Sequence, residues 1–150
     1  MPEQKTMKRV RQDKREGKAP STQAGEFVRE EMEHIREGKH GAASAKQAIA
    51  IGLSKARRAG VKLPPPEKGK TSKVVRQQAK RDLKKGQSSA RKAPSKARSR
   101  AAKKALREQP HAAASHRALS RQAHTAARKR TKTERSQAAK KAARTRKKNS

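Results

Sequence analysis

The chain has 150 residues, with 44 Lys/Arg against 12 Asp/Glu, a formal net charge of +32, 29% hydrophobic residues and 1% aromatic. So little apolar surface cannot offset the entropy of ordering the whole chain, and self-repulsion of this size calls for a polyanionic partner. Zero cysteines exclude disulfides and thiolate chemistry, and neither a membrane-spanning apolar run nor the apolar core of a signal peptide is present, so a cytoplasmic protein with no membrane partner is expected.

Residues 1–20 hold seven Lys/Arg and three acids with weak helical spacing, interrupted at Gly17 and Pro20, and read as a basic arm. Residues 21–63 contain most of the larger aliphatics and five acids, and read as the folded part. There Val28, Met32 and Ile35 recur at i, i+4, i+7 beside Phe27, the chain's one aromatic, which predicts a helix opening near Ser21 or Thr22 and ending at Gly38. Glu33 and Glu37 are assigned to the polar outer face, and Glu30, Glu31, Glu33 and Glu37 together read as supplying solubility and helix-start electrostatics. They could also form an acidic patch that docks on the basic tail and restrains it until nucleic acid competes.

A short connector, 39–43, predicts an antiparallel second helix. Ser44 followed by Gln47 fits a capping box, and Arg57, Arg58, Gly60 and Val61 fit a helix end with a left-handed glycine and a returning hydrophobic residue. Ile49, Leu53 and Ala56 form its inward stripe, with Gly52 permitting close approach to the first helix. Two helices of about 14 residues bury little, which leaves room for a homodimer forming a four-helix bundle.

Pro64-Pro65-Pro66 opens a proline-rich spacer, 64–70, that separates the hairpin from the tail, 71–150. From Lys68 onward there are 29 Lys/Arg against three acids, a net of +26. A thin stripe of Val75, Ala79 and Leu83, closed by Gly86, supports a helix only with a partner. Further on, Ser99-Arg100-Ala101-Ala102-Lys103-Lys104-Ala105 is echoed by Ser136-Gln137-Ala138-Ala139-Lys140-Lys141-Ala142, and Gly86, Pro94 and Pro110 partition the segments. Alanine, lysine and arginine favour helix while like charges at i+3 and i+4 oppose it, so these segments read as nascent helices that consolidate on phosphate. The fold expected is therefore all-α: a small antiparallel helical hairpin followed by a largely disordered basic tail with nascent Ala/Lys/Arg helices.

The chemistry that such a tail supports is phosphate neutralisation with counterion release. Lys103, Lys104, Arg107, Arg117, Arg121, Arg128, Lys129, Arg130, Lys140, Lys141, Arg144 and Arg146 are the candidate nucleic-acid-binding residues. A flexible Ala/Lys/Arg chain offers no fixed frame for reading base edges, and without aromatics it lacks stacking platforms for single strands. The reading is a non-enzymatic, largely sequence-independent, histone-like DNA-binding protein of the nucleoid; an RNA- or ribosome-associated basic protein is the alternative. A membrane-active role is disfavoured because the helices carry alanine where interfacial helices carry large apolar residues.

The five histidines, His34, His40, His111, His116 and His124, include no i, i+4 pair and sit among cations, so no metal site is expected, and His34 reads as a surface residue. No cofactor is implied, and the acids lack the partners that acid–base catalysis needs.

The segment GEFVREEMEHIREGKHGAASAKQAIAIGLSKARRAGVKLP, 25–64, and especially KQAIAIGLSKARRAG within it, resembles a family of small, lysine-rich bacterial proteins of uncharacterised function. Some of its members are labelled plasmid-stabilisation or DNA-binding proteins, and the resemblance implies a bacterial origin. The tail is similar in composition to the C-terminal domains of linker histones and to bacterial histone-like proteins, although a winged-helix domain is lacking.

Overall fold

The computed structural model describes residues 1–89 and 93–150. Among these the protein is all-helical and divides into two compact units, 1–115 and 116–150. The first holds α1 (Gln4–Arg15), α2 (Pro20–Arg36), α3 (Ala45–Arg58), α4 (Lys73–Gln87), α5 (Lys96–Arg107) and a 3₁₀ turn at His111–Ala114. The second holds α6 (His116–Arg128) and α7 (Lys132–Asn149).

The hairpin forms where its punctuation places it. Ser44 Oγ accepts from the Gln47 N–H at 3.1 Å, while Gln47 Oε1 takes the Ala43 N–H at 2.7 Å, so the reciprocal bond falls one residue before the cap. At the other end Gly60 takes φ +99°, its N–H bonds Arg57 O, and the Val61 N–H reaches back to Ala56 O. That pairing is a Schellman motif, and it drives Val61 into the core at 4% exposure. Gly38 closes α2 in the same way. The end of α3 thereby meets the start of α2, where Ala24, Phe27, Leu53, Ala56 and Val61 pack together. Gly52 lies against α2 so closely that a Cβ there would sit 2.7 Å from Val28 Cα.

Four features depart from the sequence expectations. Residues 1–20 are not a free arm: α1 packs on α2 with Thr6, Val10 and Asp13 buried, and Val10 joins the hairpin core. Its end is tied by Lys18, whose ammonium pairs with Asp13 and Glu16, each at 2.8 Å. Next, Glu30 and Glu31 do not face outward. They are 2% and 1% exposed, Glu31 between His40 and Lys55, and Glu30 accepting from the Glu3 backbone N–H. With Glu33 paired to Arg29 and Glu37 to Lys39, the acids do not assemble an acidic docking patch. His34, likewise, is largely enclosed, its side chain 13% exposed beside Glu3.

The tail is not the largely disordered segment expected from its composition. Its described residues are largely helical, and α4 docks on α3 despite the intervening prolines. Asp82 is the anchor: 1% exposed, it accepts from Ser54 Oγ at 2.7 Å, Arg58 Nε at 2.8 Å and Gln78 Nε2 at 3.1 Å. Gly86 lets the helices touch, since a Cβ there would lie 1.8 Å from Arg57 O. Arg57 itself turns under the prolines and donates to Leu63 O and Pro64 O, with burial holding its guanidinium below the usual pKa.

Finally, the chain after α5 returns to the hairpin connector. Gly41 N–H bonds Leu106 O at 2.8 Å, Ala42 N–H bonds Pro110 O at 3.1 Å, and Arg36 Nε donates to Ala114 O at 3.0 Å. Ala113 and Ala114 are buried there. With α1, α4 and this turn around the hairpin, Phe27 and Ile35 are fully enclosed within one chain. Of the apolar stripe that suggested a dimer partner, Phe27, Met32 and Ile35 are buried within the chain, while Ile49 and Leu53 are half-buried.

Candidate nucleic-acid interface

Helices with little apolar surface need local support, and the cationic helices have it. Ser95 Oγ accepts from the Arg98 N–H at the start of α5. Thr131 and Glu134 form a full capping box at the start of α7, with Glu134 the acid in its first turn. Alanines on the remaining faces supply propensity without bulk.

On α5, Lys96, Arg100, Lys103 and Arg107 fall at i, i+4, i+7, i+11, and all four are exposed. On α6, Arg117, Arg121, His124 and Arg128 repeat the same spacing, again all exposed. Each set lies on one face of its helix as a straight cationic stripe about 16 Å long. No acid sits three or four residues from any stripe position, so adjacent stripe charges repel by roughly 0.2–0.5 kcal/mol per pair. Duplex DNA presents a phosphate charge about every 1.7 Å along its axis, so one duplex face supplies ample counter-charge for either stripe.

α7 is built differently. Lys132, Arg135, Lys140, Lys141, Arg144, Arg146, Lys147 and Lys148 are all exposed and distributed around the helix rather than along one side. Such a helix is cationic over most of its circumference, suited to contact with phosphates of more than one strand. A further cationic surface follows α1, where an open depression is lined by Lys5, Lys8, Arg9, Arg11, Lys14 and Arg15.

All twelve residues singled out from sequence are exposed. Lys103 and Arg107 are brought together on α5 with Lys104 at the stripe's edge, and Arg117, Arg121 and Arg128 are brought together on α6. Lys129 and Arg130 lie in the turn before α7, while Lys140, Lys141, Arg144 and Arg146 are spread around α7. Sequence reasoning omitted Lys96 and Arg100. Their signal was available in the i, i+4, i+7, i+11 spacing, which selection of dense clusters overlooks.

Residues 19–68, one third of the chain, match a family of unknown function, DUF6496. The match covers α2, α3 and the proline segment and stops before α4. No curated protein and no solved structure matches the chain. No helix among the described residues is long and apolar enough to cross a membrane.

Proposed function

We propose that the chain is a non-enzymatic nucleic-acid-binding protein, histone-like and nucleoid-associated, that packs duplex DNA by neutralising its phosphates without reading sequence. The observation that carries this reading is the pair of exposed stripes on α5 and α6, four basic side chains at one repeated helical spacing with no acid among them. Preformed stripes differ from a flexible tail in one physical respect: the cations are already aligned, so less side-chain and backbone entropy is lost on binding. Like-charge repulsion within each stripe is relieved by the phosphates, which couples binding to helix stability. Base readout plays no part, because Lys and Arg on helices rich in alanine contact a charged backbone of any sequence. The absence of aromatic residues from all three cationic helices favours duplex over single-stranded ligands.

The test is a gel-shift series across salt with random and scrambled duplex DNA, structured RNA and an acidic polypeptide. Equal affinity for the scrambled duplexes, falling steeply with salt, supports the reading. Selective binding of one structured RNA would replace it with an RNA-associated role.

A further inference from the structure

We propose that Glu31, His34 and His40 form a binding site for a divalent transition-metal ion of the zinc type, at the closed end of the hairpin and remote in chemistry from the cationic helices. Two imidazoles and one carboxylate are a donor set that zinc accepts when a water or a second carboxylate completes it.

The fold assembles these residues from a pattern that spacing alone does not reveal. Glu31 and His34 are i, i+3 on α2 and share a face. The left-handed turn at Gly38 folds the chain back, with the Lys39 N–H on His34 O at 3.0 Å, and so brings His40 over both. One donor atom from each of the three side chains lies within 4.8 Å of the others. In a tetrahedral zinc site with bonds of about 2.1 Å, ligand atoms stand roughly 3.4 Å apart, so side-chain rotation that opens the 2.7 Å His40–Glu31 pair and draws in the more distant donors would form the set. Burial favours exclusion of bulk water: the Glu31 side chain is 1% exposed and that of His40 15%.

The hydrogen bonds of His40 fix how its ring faces the cluster. Its Nδ1 is 3.0 Å from Gly41 O and its Nε2 is 2.7 Å from Glu31 Oε1, so both ring nitrogens face oxygens that can only accept. A neutral imidazole has one N–H and cannot serve both. At 2.7 Å a proton bridges Nε2 and Glu31 Oε1, and ligation would replace that proton with a metal ion and open the pair to roughly 3.4 Å. With Nδ1–H held by the Gly41 carbonyl, Nε2 is the nitrogen set for ligation, the outer arrangement typical of metal-binding histidines.

The surroundings agree. Lys55 occupies the other oxygen of Glu31, leaving Oε1 for one-oxygen ligation. Glu3 Oε1 lies 2.8 Å from His34 Nε2, where it either orients the ring or becomes the fourth ligand. Buried Glu30 Oε1 has no hydrogen-bond donor, with Lys55 Nζ 4.0 Å away, so the cluster of Glu3, Glu30 and Glu31 is short of positive charge against Lys39 and Lys55. A divalent ion meets that deficit.

The experiment uses the full chain without an affinity tag, stripped of metal and free of nucleic acid, titrated with cobalt(II) and then zinc(II). One equivalent of cobalt should produce the intense visible absorption of a tetrahedral site, and zinc should bleach it. His34→Ala and His40→Ala should abolish the band, Glu31→Gln should weaken cobalt binding at least about tenfold, and a variant with His111, His116 and His124 all replaced by Ala should keep it. Circular dichroism checks that each variant retains its helices; should the histidine variants fail to fold, wild type against Glu31→Gln decides. No stoichiometric band in the wild type, or a band that survives loss of His34 and His40, overturns the proposal.

Discussion

Gly25 and Gly52 both lie inside helices, yet the structure assigns opposite consequences to replacing them with alanine. In either helix the change gains intrinsic propensity, about 0.8–1.0 kcal/mol. A Cβ on Gly25 meets nothing within 4 Å, so Gly25→Ala should realise that gain. A Cβ on Gly52 would lie 2.7 Å from Val28 Cα and 3.0 Å from both Val28 Cγ2 and Val28 N. Two of those three atoms are backbone of the opposing helix, which can yield only if α2 and α3 separate. Overpacking of that kind costs about 1–3 kcal/mol. Because the propensity gain is common to both variants, the difference between them isolates the packing cost, and Gly52→Ala should be about 1–3 kcal/mol less stable than Gly25→Ala. Urea unfolding followed by circular dichroism measures this directly, provided the slopes agree. Equal midpoints for the two variants would refute the close helix contact on which the hairpin rests.

Other expectations follow from particular contacts. Asp82→Ala removes a buried carboxylate that accepts three hydrogen bonds, one from a half-exposed arginine, and should cost about 2–4 kcal/mol and release α4, seen as faster amide exchange over 73–87; a loss under about 0.5 kcal/mol contradicts the anchoring role. The Lys18 ammonium, then Gln12, hold the Glu16 carboxyl below its ordinary value. A depressed carboxyl contributes stability above its unfolded pKa and loses it as pH falls through the folded value, so the tie at the end of α1 should weaken only in acid. Carboxyl NMR titration should find Glu16 titrating low in the native chain and closer to its ordinary range in Lys18→Met. Replacing Arg117, Arg121 and Arg128 with Gln should lower the salt slope of DNA binding by about 2.7, whereas the same number of changes at Lys62, Lys68 and Lys70 should lower it less.

The hairpin was legible because its signals are local: a 3.6-residue apolar stripe through Val28, Met32 and Ile35, a serine cap at Ser44 and a glycine end at Gly60. Long-range polar contacts were not. Asp82 looks like one more surface charge until Ser54 and Arg58 are placed beside it, and Gly41 looks like a loop residue until Leu106 O is found on its N–H. The same applies to Glu30 and Glu31, whose burial depends on His40 and Lys55 arriving from other segments. A rule that reads glutamate as outward-facing fails where cations enclose it. Compositional reasoning also overstated disorder, since it counts apolar area and misses the caps of the tail helices and the buried Asp82 carboxylate that anchors α4. The cationic residues themselves were legible by number, but their alignment into stripes required the helix boundaries, which place Lys96 and Arg100 in line with Lys103 and Arg107.

The central claim is that aligned, exposed cations bind a phosphate backbone. Its most direct measurement is the salt dependence of random-duplex DNA binding by the full chain, read by fluorescence anisotropy from 50 to 200 mM salt. With the seven Lys/Arg of the α5 and α6 stripes engaged, the account predicts a log–log slope of about −6 and an affinity loss of roughly four decades, the same for scrambled sequences. A chain that leaves duplex DNA unbound at the lowest salt, or binds it with a slope near zero, contradicts the account.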